Sequence, residues 1–242
     1  MSHYAPGAMH QMERMVQDLK QLYHERNAAL EEVSRAHHEA LLRLSLAAEY
    51  RDDDTGVHIV RIGFLAEAVA LCLGQSAEFA KNLRLAAPMH DVGKIATPDA
   101  VLKKPGPLDA SERAVMNTHP ANGAAILGRS RIPLFQMAAE IALTHHERWD
   151  GRGYPSGLMG TDIPLSGRIV SVVDFFDALT MDRVYRPAYP VDTAIAMLHD
   201  ERAKAFDPSV VDAFMDHSQM LVDLHRHITE NDATFEQLIE GL

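Results

Sequence analysis

The sequence predicts an all-α fold. Apolar residues recur at three- and four-residue steps through most of its 242 residues. Helix-start and helix-stop residues bracket those segments. No stretch keeps the two-residue alternation of a strand for more than a few positions.

Residues 1–10 read as an irregular start. From about Met12 to Ala48 the pattern is helical. Met12, Met15, Leu19, Leu22, Ala29, Val33 and Ala36 mark a seam like that of a short coiled coil, interrupted at Arg26. Residues 1–44 are therefore expected to form an extended N-terminal helix. It either packs as a solvated helix on its own domain or serves as a dimerising or signal-relay helix. Residues 45–242 are expected to form one helical domain. In RDDDTGVHIVRIGFLAEAVALCLG, Asp53, Asp54 and Thr55 suit a helix start and Gly74 a stop. A helix over 78–92 ends at HDVGK. Asp109 followed by Glu112 reads as a capping box for a helix from about 110. Pro120 breaks the chain after His119 and suits the first turn of the next helix. A helix over 133–148 leads into the Gly- and Pro-rich loop WDGRGYPSGLMGTDIPLSG. Further helices are expected at about 167–181, 191–204 and 208–228.

The hydrophobic share of 47% is enough for a sizeable core. The formal net charge of −11 argues against non-specific binding to DNA or anionic membranes, which need basic patches. An anionic substrate would need local cations, from metal ions or a few Arg and Lys. The single cysteine, Cys72, lies in an apolar helical pattern and cannot form an internal disulfide. The first residues lack a basic segment followed by an apolar run. No stretch approaches the roughly 18 uncharged apolar residues of a membrane span. The expected location is the cytoplasm.

The 14 histidines are the unusual count. His37 and His38 lack further ligands nearby. Elsewhere the placement is telling. Asp54 and His58 stand four apart at a helix start, on one face. His90 and Asp91 are adjacent at a helix end, His119 sits at a proline break, and His145 and His146 end another helix. Asp174 lies between Val172, Val173, Phe175 and Phe176. Each alone reads as a satisfied core or cap residue. As a set, five His and three Asp read as a shared metal centre, because buried polar groups are costly unless paired or metal-bound. Imidazole and carboxylate ligands without thiolate suit Fe, Mn, Ni, Co or Zn over Mg or Ca alone. Eight candidate ligands exceed the needs of one ion. Two ions fit better, with a third open, and two-ion centres suit phosphodiester hydrolysis.

HDVGK at 90–94 and HHERWDGRGYP at 145–155 resemble the two signatures of the HD-GYP phosphodiesterases. DFFDALTMDRVYRPA at 174–188 and FDPSVVDAF at 206–214 are similar to segments that follow in that family. The resemblance runs from about residue 45 to 215. It implies an HD-domain-like helical bundle and metal-dependent hydrolysis of cyclic di-GMP to pGpG, GMP or both. It also implies His58, His90, Asp91 and Asp174 as the ligands common to HD-type hydrolases. His119, His145 and His146 would hold a second ion, most simply iron or manganese, with Asp91 bridging. Lys94 matches a lysine that approaches the scissile phosphate, and Arg183 and Arg186 match cations facing substrate phosphates. Members with three ions carry Glu where this chain has Asp54, which favours two ions here. Gly151 and Gly153 permit positive φ and Pro155 restricts Tyr154 to extended backbone, so Gly153, Tyr154 and Pro155 form a tight loop. That loop either is purely structural, or shapes the pocket mouth or contacts a partner such as a diguanylate cyclase. Many relatives carry a receiver or sensor domain ahead of the catalytic part. A receiver-domain partner or a homodimer through the N-terminal helix would supply regulation here. Trp149 either anchors the loop or stacks on a guanine. The rival readings are a hydrolase of another nucleotide, such as cyclic GMP-AMP or a dNTP, and a signalling module that binds metal or cyclic dinucleotide without turnover.

Overall fold

The structure is a computed structural model that describes residues 6–51, 56–182, 187–231 and 237–238. The chain divides into two compact units, Met1–Ala40 and Leu41–Leu242. Helix α1 (Pro6–Glu49) supplies the described part of the first unit and enters the second. It starts well before Met12, so residues 6–10 are helical and not irregular. Along the first unit Met12, Met15, Leu19, Leu22 and Val33 stand exposed. No helix among the described residues is long and apolar enough to cross a membrane.

The second unit continues with α2 (Val57–Cys72), α3 (Ala77–Ala86), α4 (Asp99–Leu102), α5 (Ala110–Met116) and α6 (His119–Leu127). Then come α7 (Pro133–Thr144), α8 (Leu165–Thr180), α9 (Val191–Asp200), α10 (Pro208–Asp216) and α11 (Ser218–Glu230). The fold is all-α. Among the described residues the only bridge of β type joins Arg202 and Phe206. The core gathers on α2 and α8, whose residues are buried or half-buried along nearly their whole length. Ile62, Leu65, Ala66 and Val69 of α2 meet Ile169, Val170, Val173 and Phe176 of α8, with Ala138, Ile141 and Ala142 of α7 in the same cluster. The Phe176 ring packs against Phe214 of α10 at 5.0 Å.

The capping box is present. The Asp109 carboxylate accepts from the amides of Ser111 and Glu112, and the Glu112 carboxylate accepts from the Asp109 amide. Other boundaries differ for local reasons. The expected helix over 78–92 stops at Ala86, because Pro88 cannot donate to a helical ladder. Two 3₁₀ turns, Ala87–Met89 and Val92–Ala96, replace it and present His90 and Asp91 between them. Helix α7 stops at Thr144, where the Glu147 amide turns back to the Thr144 carbonyl. Helix α9 ends at Asp200, ahead of Ala203 in left-handed backbone at φ 61°. The expected 208–228 helix is two, broken at His217, whose ring Nδ1 lies 3.0 Å from the Ala213 carbonyl. Asp53, Asp54 and Thr55 lie outside the described residues. Gly56, at φ 78°, precedes α2.

The last turns of α1 brace the segment carrying His90. The Ser45 hydroxyl donates to the Pro88 carbonyl. The Arg51 guanidinium donates to the carbonyls of Ile95 and Thr97 and to the Asp99 carboxylate. From the other side the backbone of α6 presses on Gly93. A Cβ there would lie 1.9 Å from the His119 carbonyl oxygen and 2.4 Å from the Gly123 amide nitrogen. Both obstacles are backbone, so a side chain can be admitted only by parting the two segments. Gly93→Ala is expected to cost about 3 kcal/mol, the upper range for overpacking. Chemical denaturation would measure it, and a variant within about 0.5 kcal/mol of wild type would contradict this packing.

Candidate metal centre

Five imidazoles and two carboxylates, spread from residue 58 to residue 174, come together in the second unit. They form two groups whose ligand atoms lie within 4.8 Å of one another: His58, His90 and Asp174; and Asp91, His119, His145 and His146. Helix ends and turns deliver most of them. His58 is the second residue of α2, His119 opens α6 ahead of Pro120, and His145 and His146 follow the end of α7. Asp174 comes from the middle of α8.

Hydrogen bonds at Nδ1 set four of the rings. His58 Nδ1 lies 2.6 Å from Asp177 Oδ2, and His90 Nδ1 is 3.1 Å from the Ala87 carbonyl. His119 Nδ1 lies 2.8 Å from the Met116 carbonyl, and His145 Nδ1 is 3.1 Å from those of Ile141 and Ala142. A carbonyl or carboxylate at Nδ1 assigns the proton there and leaves the Nε2 lone pair for a ligand. Those Nε2 atoms face carboxylate oxygens. His58 and His90 lie 3.6 and 3.7 Å from Asp174 Oδ1. His90 is 3.3 Å from Asp91 Oδ2, while His119 and His145 are 3.1 and 3.6 Å from Asp91 Oδ1.

Lone pairs thus confront lone pairs in a buried space. His90 Nε2 and Asp91 Oδ1 are buried with no hydrogen-bond partner. Such orphans cost on the order of 1–3 kcal/mol each, and a cation between them removes that cost. The residues fit divalent ions, and Asp91 lies where one carboxylate can serve both groups. Its Oδ2 faces His90, and its Oδ1 faces His119 and His145.

Charge is distributed unevenly over the site: burial works against charge on His90, yet Asp91 and Asp174 raise its imidazole above the usual range. Burial alone would push the Asp91 carboxyl up, but the Lys94 ammonium, 2.8 Å away, and His90 outweigh it and hold it well below the usual range. Burial pushes the imidazoles of His145 and His146 down, keeping them neutral as ligands must be. Burial also works against charge on His58, yet the Asp177 bond prevails and raises it to about 9, so an ion binding there would displace a proton.

Several site residues escaped the sequence reading. Asp177 is fully buried and binds His58, Arg61 and His225 together. The signal was present in DFFD, since Asp177 stands three residues after Asp174, on the same side of a helix. Glu147 is buried, and its carboxylate accepts from the amides of Ser156 (2.7 Å) and Leu158 (3.0 Å), tying down the loop. Glu49 is buried at the end of α1, where burial pushes its carboxyl up against the influence of His58.

In the 145–155 loop, Gly151 has the expected positive φ of 75°, but Gly153 does not. Gly153 is required by proximity: a Cβ would meet the Arg148 amide nitrogen at 2.3 Å and the His146 carbonyl oxygen at 2.6 Å. The Tyr154–Pro155 peptide is cis. Trp149 anchors the loop through backbone bonds to Ala205 and Gly160, with the Arg168 guanidinium over its ring. Asp54, Arg183 and Arg186 lie outside the described residues.

A helical domain that gathers these imidazoles and aspartates into two adjoining groups is, in class, a divalent-metal protein. The chain belongs to the HD-domain family, whose model, described as "HD domain", matches residues 10–210. It is 47% identical over 188 residues to the cyclic di-GMP phosphodiesterase response regulator RpfG of Xanthomonas campestris pv. campestris (78% of this chain, 50% of that one). It is 42% identical over 196 residues to a cyclic di-GMP phosphodiesterase of Thermotoga maritima (81% and 53%). It is also 42% identical over 179 residues to 3'3'-cGAMP-specific phosphodiesterase 2 of Vibrio cholerae (74% and 34%). The chain thus spans a third to about half the length of these relatives. Among solved structures, a cyclic GMP-AMP specific phosphodiesterase of V. cholerae shares the fold. Its TM-score is 0.58 at 17% identity, over 79% of this chain and 53% of that one.

Proposed function

We propose that this chain is a metal-dependent phosphodiesterase that opens cyclic di-GMP, releasing pGpG, GMP or both. The observation that carries this reading is the Asp91 carboxylate, set between two imidazole-rich groups with a lysine at its edge. His58, His90, Asp91 and Asp174 would hold one ion, and Asp91, His119, His145 and His146 the other. Iron or manganese suits this donor set, with nickel, cobalt or zinc as substitutes. Two such ions, when bound, supply Lewis acidity to a phosphoryl group and ionise water near neutral pH.

The chain's own groups do the rest. Asp91 fixes the spacing of the two groups. Lys94, about one-fifth exposed, holds its ammonium 2.8 Å from Asp91 Oδ2, where it can donate to a phosphate oxygen as charge develops. The buried rings keep bulk water from the space between them. The relatives named for cyclic di-GMP favour that substrate. The 42% identity to a 3'3'-cGAMP-specific enzyme supports a second reading, in which cyclic GMP-AMP is taken instead.

The test is product chromatography on anaerobically purified, metal-analysed protein given cyclic di-GMP, 3'3'-cGAMP and a dNTP. Cyclic di-GMP is expected to turn over fastest. Lys94→Met is expected to lower kcat by about 10²–10³-fold, the size of one lost oxyanion donor, while metal content stays unchanged. Ion-loaded protein that turns over none of the three would sink the hydrolase reading in favour of a binding module.

The exposed seam of α1 supports pairing of the first unit with a second copy of itself. On the heptad set by Met12 and Leu19, the acidic residues Asp18, Glu25 and Glu32 all take the g position. An antiparallel pair would oppose them. A parallel pair places them beside Tyr23 and Leu30 at e, so the parallel arrangement is the one proposed.

A further inference from the structure

Four of the five histidines owe their orientation to a hydrogen bond at Nδ1; His146 does not. Among the described residues no hydrogen bond holds its ring. What lies against it is the Tyr154 ring, stacked at 4.8 Å between centroids and 22° between planes. His119 stands edge-on at 4.9 Å and His145 is tilted at 4.1 Å, so Tyr154 supplies the one parallel face.

Tyr154 is itself held firmly. Its amide donates to the His146 carbonyl at 3.2 Å. Gly153 presses against the backbone of 146–148, and the Glu147 carboxylate grips the amides of Ser156 and Leu158 just beyond. The loop therefore folds back on the residues that follow α7 and carries an aromatic plane to the one imidazole without another anchor.

We propose that Tyr154 is a positioning residue for the second ion: its ring fixes the plane of the His146 imidazole and so aims a ring nitrogen at the space shared with Asp91, His119 and His145. This rests on the two-ion reading above. Metal-binding imidazoles are ordinarily oriented by a partner at the second nitrogen, and losing such a partner typically weakens metal affinity by about 10–100-fold. Here the face of a ring takes that part. The face is the operative feature, so phenylalanine should serve as well as tyrosine.

The test is titration of the metal-free protein, all 242 residues of it, with Mn²⁺ alone, by calorimetry and by chelator competition. Wild type is expected to take two ions. Tyr154→Leu, which keeps bulk but removes the aromatic face, should weaken the second ion by about tenfold or more and leave the first within about twofold. Tyr154→Phe should restore wild-type affinity. In a His146→Ala background, Tyr154→Leu should cause no further loss. Wild-type affinity in Tyr154→Leu, failure of Tyr154→Phe to restore binding, or a further loss in the His146→Ala background would each overturn the proposal while leaving the two-ion centre intact. A wild-type protein that takes fewer than two ions would overturn both. Thermal unfolding of the metal-free variants checks the fold, and if Tyr154→Leu does not fold, the comparison of Tyr154→Phe with wild type still decides whether the hydroxyl matters.

Discussion

On the proposed phosphodiesterase reading, Asp91→Asn is expected to lower turnover of cyclic di-GMP by at least about 10³-fold, the scale of removing a preorganised charge-stabilising group from a buried site. It should also reduce the bound metal from two ions toward one or none. The substitution keeps the volume and both hydrogen-bonding positions, so packing is nearly unchanged. What it removes is the negative charge that Lys94 and His90 hold in place against burial. An amide nitrogen would stand where one carboxylate oxygen now faces either His90 or the pair His119 and His145. That nitrogen has no lone pair for a cation, so only one of the two groups would keep its shared ligand. Elemental analysis and a discontinuous chromatographic assay measure the two effects. An Asn variant with two ions and wild-type kcat would refute the role of Asp91 as the shared ligand.

Much of this cluster was legible because the residue types that can bind metal leave marks that do not depend on the fold. Adjacent or turn-spaced His and Asp at helix ends, and a carboxylate flanked by VV and FF, are conspicuous in a chain otherwise patterned for helices. The structure brings His58, His90, Asp91, His119, His145, His146 and Asp174 together. The groups that hold those side chains were not legible in the same way. His225 reaches Asp177 across 48 positions and Arg61 across 116, distances over which only the packing of α2, α8 and α11 decides neighbours. Nor does periodicity show that Gly153 is forced by a backbone 2.3 Å from where its Cβ would be. Helix ends were misjudged where a local contact overruled an apolar pattern. The ring of His217 on the Ala213 carbonyl is one case and Pro88, in the 3₁₀ turn Ala87–Met89 ahead of His90, another, although a proline's effect on helix length is visible in the sequence.

Asp177→Asn is expected to destabilise the protein by about 3–5 kcal/mol, the cost of breaking a buried ion pair from one side. For a unit of about this size, that is a fall in Tm of roughly 10 °C. Asp177 is 0% exposed and Arg61 3% exposed, so neither charge has water to fall back on. The carboxylate accepts from Arg61 Nε at 2.5 Å and from its terminal nitrogen at 3.0 Å, from His58 Nδ1 at 2.6 Å and from His225 Nε2 at 3.1 Å. Burial would push its carboxyl up, but His225, His58 and Arg61 together hold it well below the usual range. An amide can replace at most one oxygen's worth of these bonds, and its NH₂ group would confront donors on Arg61. The guanidinium is then left buried and unpaired, which is where most of the cost arises. A second effect separates this residue from an ordinary core position. Two effects on His58 then oppose each other. Its ring is oriented by a weaker acceptor, which typically lowers metal affinity by about 10–100-fold, while the proton that an ion must displace is held less tightly. The loss of affinity for the ion shared with His90 and Asp174 should therefore grow as pH rises toward about 9, even where the variant is fully folded. Denaturation of the metal-free protein reads the first effect and Mn²⁺ titration at low temperature the second. A folded Asn variant with wild-type stability would show that Arg61 finds another counter-ion. One with wild-type affinity as pH rises would show that Asp177 supports the fold without orienting His58.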